Sequence, residues 1–142
     1  MFICDISVFN RYGKRQLDDR LKSLDMDWQA LVAILVIDQV PGITQQRLKP
    51  FLQTDKANVS KLLTKLADRN LLDREKSATD LRHNGCVLTE QGKALVPELQ
   101  HHLDAWETSL YQNISREDLE TFKRVNALIT QNLVPDWGKD TD

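Results

Sequence analysis

The segment DKANVSKLLTKLADRN, residues 55–70, carries side chains suited to binding a polyanion. At about 100° per residue, one face of the expected helix is apolar and the other is polar. The apolar face holds Val59, Leu62, Leu63 and Leu66, and the polar face holds Ala57, Ser60, Lys61, Thr64, Lys65 and Asp68. Small and hydrogen-bonding residues followed by two lysines are typical of a helix that enters a DNA major groove. A solvated helix surface has a similar charge pattern and is the simpler interpretation of the charges alone.

A β-hairpin is predicted directly after this helix, over residues 71–89. Leu72 and Arg74 alternate with polar residues in the first expected strand, and Cys86 and Leu88 occupy alternate positions in the second. The run SATDLRHN between them forms a polar tip that contains a basic residue. Two short helices, a hairpin and a following helix together describe a winged helix-turn-helix.

Charge is unevenly distributed along the chain. The 142 residues carry a formal net charge of −2. Between Thr44 and Lys93, however, ten basic and six acidic residues give +4, whereas the flanks together carry −6. A basic middle between acidic ends is expected of a nucleic-acid-binding core on a scaffold that does not touch the polyanion.

Composition and motifs argue against several functional classes. The hydrophobic content of 41% and charged content of 28% are ordinary for a globular protein. No apolar run approaches the roughly 18 residues of a membrane span, and the N-terminus lacks the pattern of a secretory signal, so we expect a cytoplasmic protein with no membrane partner. Cys4 and Cys86 form no CxxC pair, and no glycine-rich phosphate loop, HExxH or GxSxG motif is present. We therefore expect no disulfide, metal, cofactor or enzymatic activity.

Three helices are predicted to precede and position the segment 55–70. An amphipathic helix is expected over Ile6–Leu24, and Asp27 is expected to cap the nearly continuous apolar helix WQALVAILVID. Thr44 is the expected N-cap of QQRLKPFL, which Pro50 should stop or kink early. Asn70 tolerates the left-handed conformation and should end the helix of residues 55–70.

Two helices are predicted after the hairpin. Thr89 is expected to cap a long helix in which Pro97 predicts a bend near residues 93–97. Ser115 is expected to cap the last helix, SREDLETFKRVNALITQNL. Its broad apolar stripe consists of Leu119, Phe122, Val125, Leu128, Ile129 and Leu133.

Residues 43–95 resemble the DNA-binding core of the MarR family of bacterial transcriptional regulators. The resemblance is carried by TQQRLKPFLQTDKANVSKLLTKLADRNLLDR, by the Asp-x-Arg of Asp80 and Arg82, and by LTEQGKAL. In the last of these, Leu88, Thr89 and Gly92 match the family's Leu-Thr-x-x-Gly pattern. Four positions depart from the family's pattern, namely Pro50, Thr54, Leu81 and Gly85.

The resemblance implies a mainly α (α+β) fold, a winged helix-turn-helix core with N- and C-terminal dimerisation helices. It implies a single domain over residues 1–142, with a DNA-binding lobe at 27–95 and a dimerisation lobe at 5–24 and 96–134. The implied function is a homodimeric transcriptional repressor that binds a pseudo-palindromic operator in double-stranded DNA. Two-fold symmetry would present two recognition helices to half-sites about one DNA turn apart.

The resemblance also implies which residues contact DNA. They are Thr44, Gln45, Lys56, Ala57, Asn58, Ser60, Lys61, Lys65, Arg74 and Arg82. Asn58 suits adenine and Ala57 suits a thymine methyl group, whereas the lysines suit phosphates and would give salt-sensitive affinity. Arg82 is expected to enter the minor groove, oriented by Asp80 in the same hairpin tip.

Three alternatives stay open from the sequence. A small-molecule effector, in a pocket lined by Trp28, His101, His102 and Trp106, would shift DNA binding if it had different affinities for two states. Cys4 in the first helix is a candidate peroxide sensor, because some members of the family use a cysteine in that helix. A winged helix can also serve as a protein-interaction module without binding DNA.

Overall fold

The computed structural model describes residues 1–76 and 84–137, which fold into two compact units. The first unit is Met1–Trp106 and the second is Glu107–Asp142. The described residues are mostly helical and include one three-stranded antiparallel sheet. This architecture confirms the mainly α (α+β) class predicted from the sequence.

The chain begins with a helical segment that starts before the predicted Ile6. It consists of α1 (Phe2–Val8), a π-helical turn (Phe9–Gly13), α2 (Lys14–Leu21) and a 3-10 turn (Lys22–Leu24). Leu17 and Leu21 are buried, whereas Phe9, predicted to lie on the same stripe, is 65% exposed. A π turn holds more residues than an α turn, so side chains before it fall out of phase with the stripe of α2.

The most buried element is α3 (Trp28–Gln39), as its apolar sequence predicts. Asp27 caps it by accepting a hydrogen bond from the Ala30 backbone N–H at 2.8 Å. Five of its residues are buried, namely Ala30, Leu31, Ala33, Ile34 and Ile37. They form the centre of the hydrophobic core of the first unit.

The next helix, α4 (Gln45–Leu52), covers the predicted segment QQRLKPFL, and Pro50, predicted to stop or kink it, does not stop it. Thr44 caps it through Arg47, and the helix continues for two residues beyond the proline before Gln53 adopts the left-handed conformation at φ 52°. Proline fixes φ near the helical value and removes one hydrogen bond. Burial of Leu48 and Leu52, both 0% exposed, favours keeping the last turn helical despite that loss.

Helix α5 (Lys56–Asp68) follows after a short turn and is capped by Asp55. Val59, Leu63 and Leu66 are buried, and Leu62 packs partly buried against the core. The apolar face predicted for this segment is therefore confirmed. Asn70, predicted to be left-handed, has φ 58°.

The sheet contains the predicted hairpin and a short strand that the sequence patterns do not predict. Its strands are β1 (Ile43–Thr44), β2 (Leu72–Lys76) and β3 (Asn84–Leu88), in the order β1-β3-β2. Gly85 lies where β1 approaches β3, and a Cβ there would be 2.7 Å from the carbonyl oxygen of Gly42. This close approach explains why glycine replaces the apolar residue of the family pattern at position 85.

Helix α6 (Glu90–Leu110) begins at the Leu-Thr-x-x-Gly motif. The Thr89 hydroxyl caps it by accepting from the Gly92 N–H at 3.0 Å, and it donates to the Asn70 carbonyl at 2.7 Å. A Cβ on Gly92 would lie 2.0 Å from the Leu71 carbonyl oxygen. The glycine therefore allows α6 to begin directly against the turn that ends α5. Pro97 lies within α6, which is continuous from Glu90 to Leu110.

The second unit contains the end of α6 and helix α7 (Arg116–Leu133). Ser115 caps α7 as predicted, by accepting from the Asp118 N–H at 3.1 Å. None of the residues of α7 is buried.

Candidate nucleic-acid interface

Helix α5 presents an exposed polar face. Lys56, Ala57, Asn58, Lys61 and Lys65 are exposed, and Ser60 is half-buried. Part of this face is an open groove of about 500 Å³, lined by Ala57, Ser60, Lys61, Thr64, Lys65 and Asp68. Two lysines against one carboxylate give the groove a positive charge. The structure therefore brings six of the ten predicted contact residues together on one helix.

Asn58 is already engaged at the start of α5. Its side-chain amide donates to Thr54 Oγ1 at 3.2 Å and to Asp55 Oδ2 at 3.3 Å, and its backbone N–H donates to the Asp55 cap at 2.8 Å. Thr54, a departure from the family pattern, thus supplies an acceptor that an aliphatic residue would lack. A bidentate contact with adenine needs a donor and an acceptor on the same amide. Asn58 would have to give up one of these local bonds to make that contact.

Gln45 and Thr44 lie at the start of α4, next to α5. The Gln45 side chain donates from Nε2 to the Lys56 carbonyl at 3.2 Å, so it joins the beginnings of the two helices. The Thr44 hydroxyl accepts from the Arg47 N–H at 3.3 Å as the N-cap. The first backbone N–H groups of a helix are favourable donors to phosphate, and this end of α4 lies near α5 through the Gln45 bond.

Arg74 projects from β2 toward α5. Its Nη2 donates to the Ser60 carbonyl at 2.9 Å and to Thr64 Oγ1 at 3.1 Å. Sequence reasoning placed Thr64 on the polar face but did not include it among the site residues. Its spacing could have identified it, because Thr64 lies four residues after Ser60 and residues at that spacing are neighbours on a helix.

Arg69 shows why a count of basic residues overstates the charge available to a partner. Its guanidinium donates to the carbonyls of Asp25 and Leu24, at 2.8 and 2.9 Å. This arginine joins the end of α5 to the turn before α3. Its role is structural, although it contributes to the +4 of the central segment.

Two predicted site residues belong to the hairpin tip. Arg82 was predicted to contact DNA and Asp80 to orient it, and both lie outside the described residues, as does Leu81. Their roles therefore stay predictions.

The four predicted effector-pocket residues lie in the first unit. Trp28 and Trp106 pack partly buried against the core, and the Lys14 ammonium lies 4.1 Å from the Trp28 ring centroid. Partial burial lowers the pKa of Lys14, and nearby Asp18 acts in the opposite direction. His101 is exposed and His102 half-buried, with their ring centroids 6.1 Å apart.

The two cysteines differ in exposure. Cys4 is exposed in α1, and Cys86 is 1% exposed in β3, as predicted for a small buried residue. Burial raises the pKa of the Cys86 thiol, although Arg74 acts to lower it. Within the described residues, no group of three or more His, Cys, Asp or Glu side chains could hold a metal ion. No helix in the described part of the chain is long and apolar enough to cross a membrane.

Comparison with known proteins relates the central segment to one family and the fold to several solved structures. The family model for MarR matches residues 24–83, which include α3, α4, α5 and β2. A MarR transcriptional regulator from Methanosarcina mazei Go1 has a similar fold, with a TM-score of 0.81 and 24% identity over 93% of this chain and 96% of that chain. The S. aureus MepR–DNA complex gives a TM-score of 0.81, with 23% identity over 93% and 98% of the two chains.

A third similar structure, from Listeria monocytogenes, is of a MarR-type chain complexed with a 26mer DNA. Its TM-score is 0.83, with 18% identity over 95% of this chain and 90% of that chain. At these identities the likeness concerns the fold, and it extends well beyond the segment that the family model matches. The central segment of this chain thus matches the MarR family model, and the chain as a whole has the fold of these MarR structures.

Proposed function

We propose that this protein is a transcriptional regulator that binds double-stranded DNA in a sequence-specific manner. The exposed face of α5, with its positive groove, is the observation that carries the proposal. Two chains of the same fold, MepR and the L. monocytogenes protein, have been crystallised with DNA. In the proposed complex, α5 lies in the major groove and the β2–β3 hairpin, the wing, reaches the adjacent minor groove.

The residues on α5 divide into two roles. Ala57 and Asn58 lie in the first turn, where side chains of a recognition helix reach base edges, and we assign them to base contacts. Lys56, Lys61 and Lys65 are exposed cations, and we assign them to phosphates. Ser60 has a short hydroxyl that suits either a base or a phosphate.

The surroundings of α5 supply the remaining proposed contacts. The backbone N–H groups at the start of α4, beside Thr44 and Gln45, would donate to a phosphate. Arg82 in the wing would enter the minor groove with Asp80 holding its orientation. Residues 27–95 thus act as the DNA-binding lobe in this proposal.

We further propose that the protein acts as a homodimer, with residues 5–24 and 96–134 as its dimerisation lobe. The support lies in exposed apolar side chains within each segment considered by itself. Ile6, Val8 and Phe9 are exposed in the first segment, as are Phe122 and Leu128 in the second. A second copy of the chain would cover these surfaces, because burial of apolar area drives association. Two-fold symmetry would then make the operator a pseudo-palindrome.

The proposal also includes an effector that weakens DNA binding. A small aromatic molecule would bind near Trp28 and Trp106, where Lys14 already contacts one indole ring through a cation–π interaction. Such a molecule shifts the equilibrium only if it binds the DNA-free form more tightly. Tryptophan fluorescence during titration, compared with a Trp28→Phe variant, would report binding at this position.

Selection of duplexes from a random-sequence pool by the purified chain tests the proposed function. Enrichment of an inverted repeat with half-sites about one helical turn apart is the expected result. Recovery of no enriched sequence from the wild-type chain at low salt would contradict sequence-specific binding. In that case, a winged helix serving protein interaction becomes the better account.

A further inference from the structure

Arg74 connects the wing to the middle of α5. Its Nη2 lies 2.9 Å from the Ser60 carbonyl oxygen and 3.1 Å from Thr64 Oγ1. Both partners line the positive groove. The arginine was predicted to contact DNA, but this end of its guanidinium is directed at groups of the protein.

We propose that Arg74 is a positioning residue, which sets the orientation of α5 relative to the wing, and that it does not act by contacting DNA. This inference rests on the proposed function, because it concerns how the same interface recognises its DNA. The recognition helix and the wing must fit two different grooves at once. A fixed orientation of α5 relative to the wing therefore favours one register of the protein on the duplex.

The backbone at Arg74 is held firmly enough to serve this purpose. Arg74 pairs with Cys86 in the register of β2 and β3, and Cys86 is 1% exposed in the central strand. Leu72, two residues earlier on the same side of β2, is also 1% exposed. Neighbouring side chains on one face of a strand are separated by two residues, so the side chain of Arg74 leaves a backbone that is anchored in the core.

Side-chain hydrogen bonds hold helix α5 at three places. Gln45 bonds the Lys56 carbonyl at its start, and Arg69 bonds two carbonyls of the preceding segment at its end. Arg74 is the contact in the middle. Among these three, it is the one whose partners, Ser60 and Thr64, line the groove itself.

The chemistry of the contact requires arginine. A guanidinium is a rigid planar fork that can donate to two acceptors in fixed directions, whereas a lysine ammonium is a point charge on a flexible stem. Arg74→Lys therefore keeps the charge but loses the fixed geometry. A phosphate contact would tolerate that change better than a positioning contact would.

Base contacts and phosphate contacts respond differently to a misplaced helix. Base contacts carry the sequence information and depend on register, whereas phosphate contacts supply non-specific affinity and the salt dependence. Loss of the Arg74 contact should thus weaken binding to the preferred sequence, leave binding to unrelated DNA nearly unchanged, and leave the salt slope intact.

The test compares Arg74→Lys, Arg74→Gln and Thr64→Val in the full chain, on the selected duplex and on a scrambled one over a range of salt concentrations. We expect Arg74→Lys and Arg74→Gln each to weaken binding to the selected duplex about tenfold, as loss of a charge-assisted hydrogen bond would. Thr64→Val should give a smaller loss that is not additive with Arg74→Lys, because the two side chains share one bond. Binding to the scrambled duplex should change less than twofold, because non-specific affinity comes from phosphate contacts.

Two results would overturn the inference. One is an Arg74→Lys variant that binds the selected duplex like the wild type while Arg74→Gln lowers the salt slope by about one per copy, which identifies a phosphate contact. The other is unchanged amide exchange across residues 56–68 in Arg74→Gln, since a helix that is no longer held should open more readily. Exchange is measured without DNA, so it separates this inference from the proposed function, which fails if the wild-type chain selects no sequence.

Discussion

Helices α5 and α7 have similar sequence patterns but different surroundings. Each is amphipathic, and each begins with a side-chain cap, Asp55 in α5 and Ser115 in α7. In α5, Val59 and Leu63 are 0% exposed, whereas no residue of α7 is buried and Leu128 is 51% exposed. Local sequence therefore explains where both helices begin, but it does not explain what covers their apolar faces.

A helix cap and an apolar face depend on different parts of the molecule. A cap satisfies backbone N–H groups within the same turn, so it is complete in a single chain. An apolar stripe is stabilised only when another surface removes it from water. For α5 that surface is the core of its own unit, and for α7 we propose that it is a second copy of the chain.

The largest expected effect concerns the apolar face of α7. Leu128→Glu should dissociate the proposed dimer, because burial of one leucine contributes about 1.5–3 kcal/mol and two-fold symmetry counts it twice. Sedimentation equilibrium over a range of protein concentrations would measure the change. The exposed Lys123→Ala variant on the same helix is the control and should associate like the wild type. A Leu128→Glu protein that associates like the wild type would show that the apolar face of α7 is not covered by a second copy of the chain.

The matching change in α5 should act on folding and not on association. Leu63→Ala is expected to lower the free energy of unfolding by about 2–5 kcal/mol, the cost of deleting a buried leucine side chain. Chemical denaturation followed by circular dichroism would measure it. Leu128→Ala is the control at a partly exposed leucine, and at concentrations where the chain is monomeric it should cost far less. Equal losses from the two substitutions would show that α7 is as buried as α5.

The two caps should have nearly equal, smaller effects. Asp55→Ala and Ser115→Ala are each expected to reduce the free energy of unfolding by about 1 kcal/mol, because each leaves a helix N–H without its acceptor. Asp55 also accepts from the Asn58 amide, so its loss should be the greater of the two. Thermal unfolding of the two variants at one protein concentration would compare them. A loss of unfolding free energy in only one of the two variants would contradict an equal role for the two caps.

The smallest expected effect concerns the buried thiol of Cys86, the residue that pairs with Arg74 in the sheet. Burial raises the pKa of Cys86, so its unfolded form loses the proton at a lower pH than its folded form does. The stability associated with this group is therefore fully present below the ordinary thiol pKa and is lost as pH rises toward the raised value. The unfolding free energy of the wild type should fall more steeply above neutral pH than that of Cys86→Ala. Parallel curves of unfolding free energy against pH for the wild type and Cys86→Ala would show that burial does not raise the pKa of this thiol. The control is Cys4→Ala, a substitution at an exposed cysteine.

Features that depend on neighbours in the sequence could be predicted well. The caps Asp27, Thr44, Thr89 and Ser115 and the left-handed Asn70 are confirmed, since each is decided within a few residues. The apolar face of α5 and the hairpin are confirmed for the same reason. The mainly α winged-helix fold followed from their order along the chain.

Features that depend on distant partners could not be predicted. Strand β1 exists because Gly42 and Gly85 allow two backbones to approach, and no local pattern encodes that contact. The family resemblance implied that Arg74 contacts DNA, and no local pattern predicts its hydrogen bonds to α5. Its carbonyl and hydroxyl partners lie 14 and 10 residues away in sequence. Pro50 was expected to stop or kink α4, and it does not stop the helix because burial of Leu48 and Leu52 outweighs the lost hydrogen bond.

The salt dependence of DNA binding tests most directly whether the exposed face of α5 contacts DNA. Affinity for the selected duplex should fall steeply with salt, and Lys61→Ala should reduce the slope by about one per copy, or two per dimer. Lys123→Ala, the same change on α7, should leave both affinity and slope unchanged. Absence of binding at low salt, or a Lys61→Ala variant with the affinity and slope of the wild type, would contradict the account.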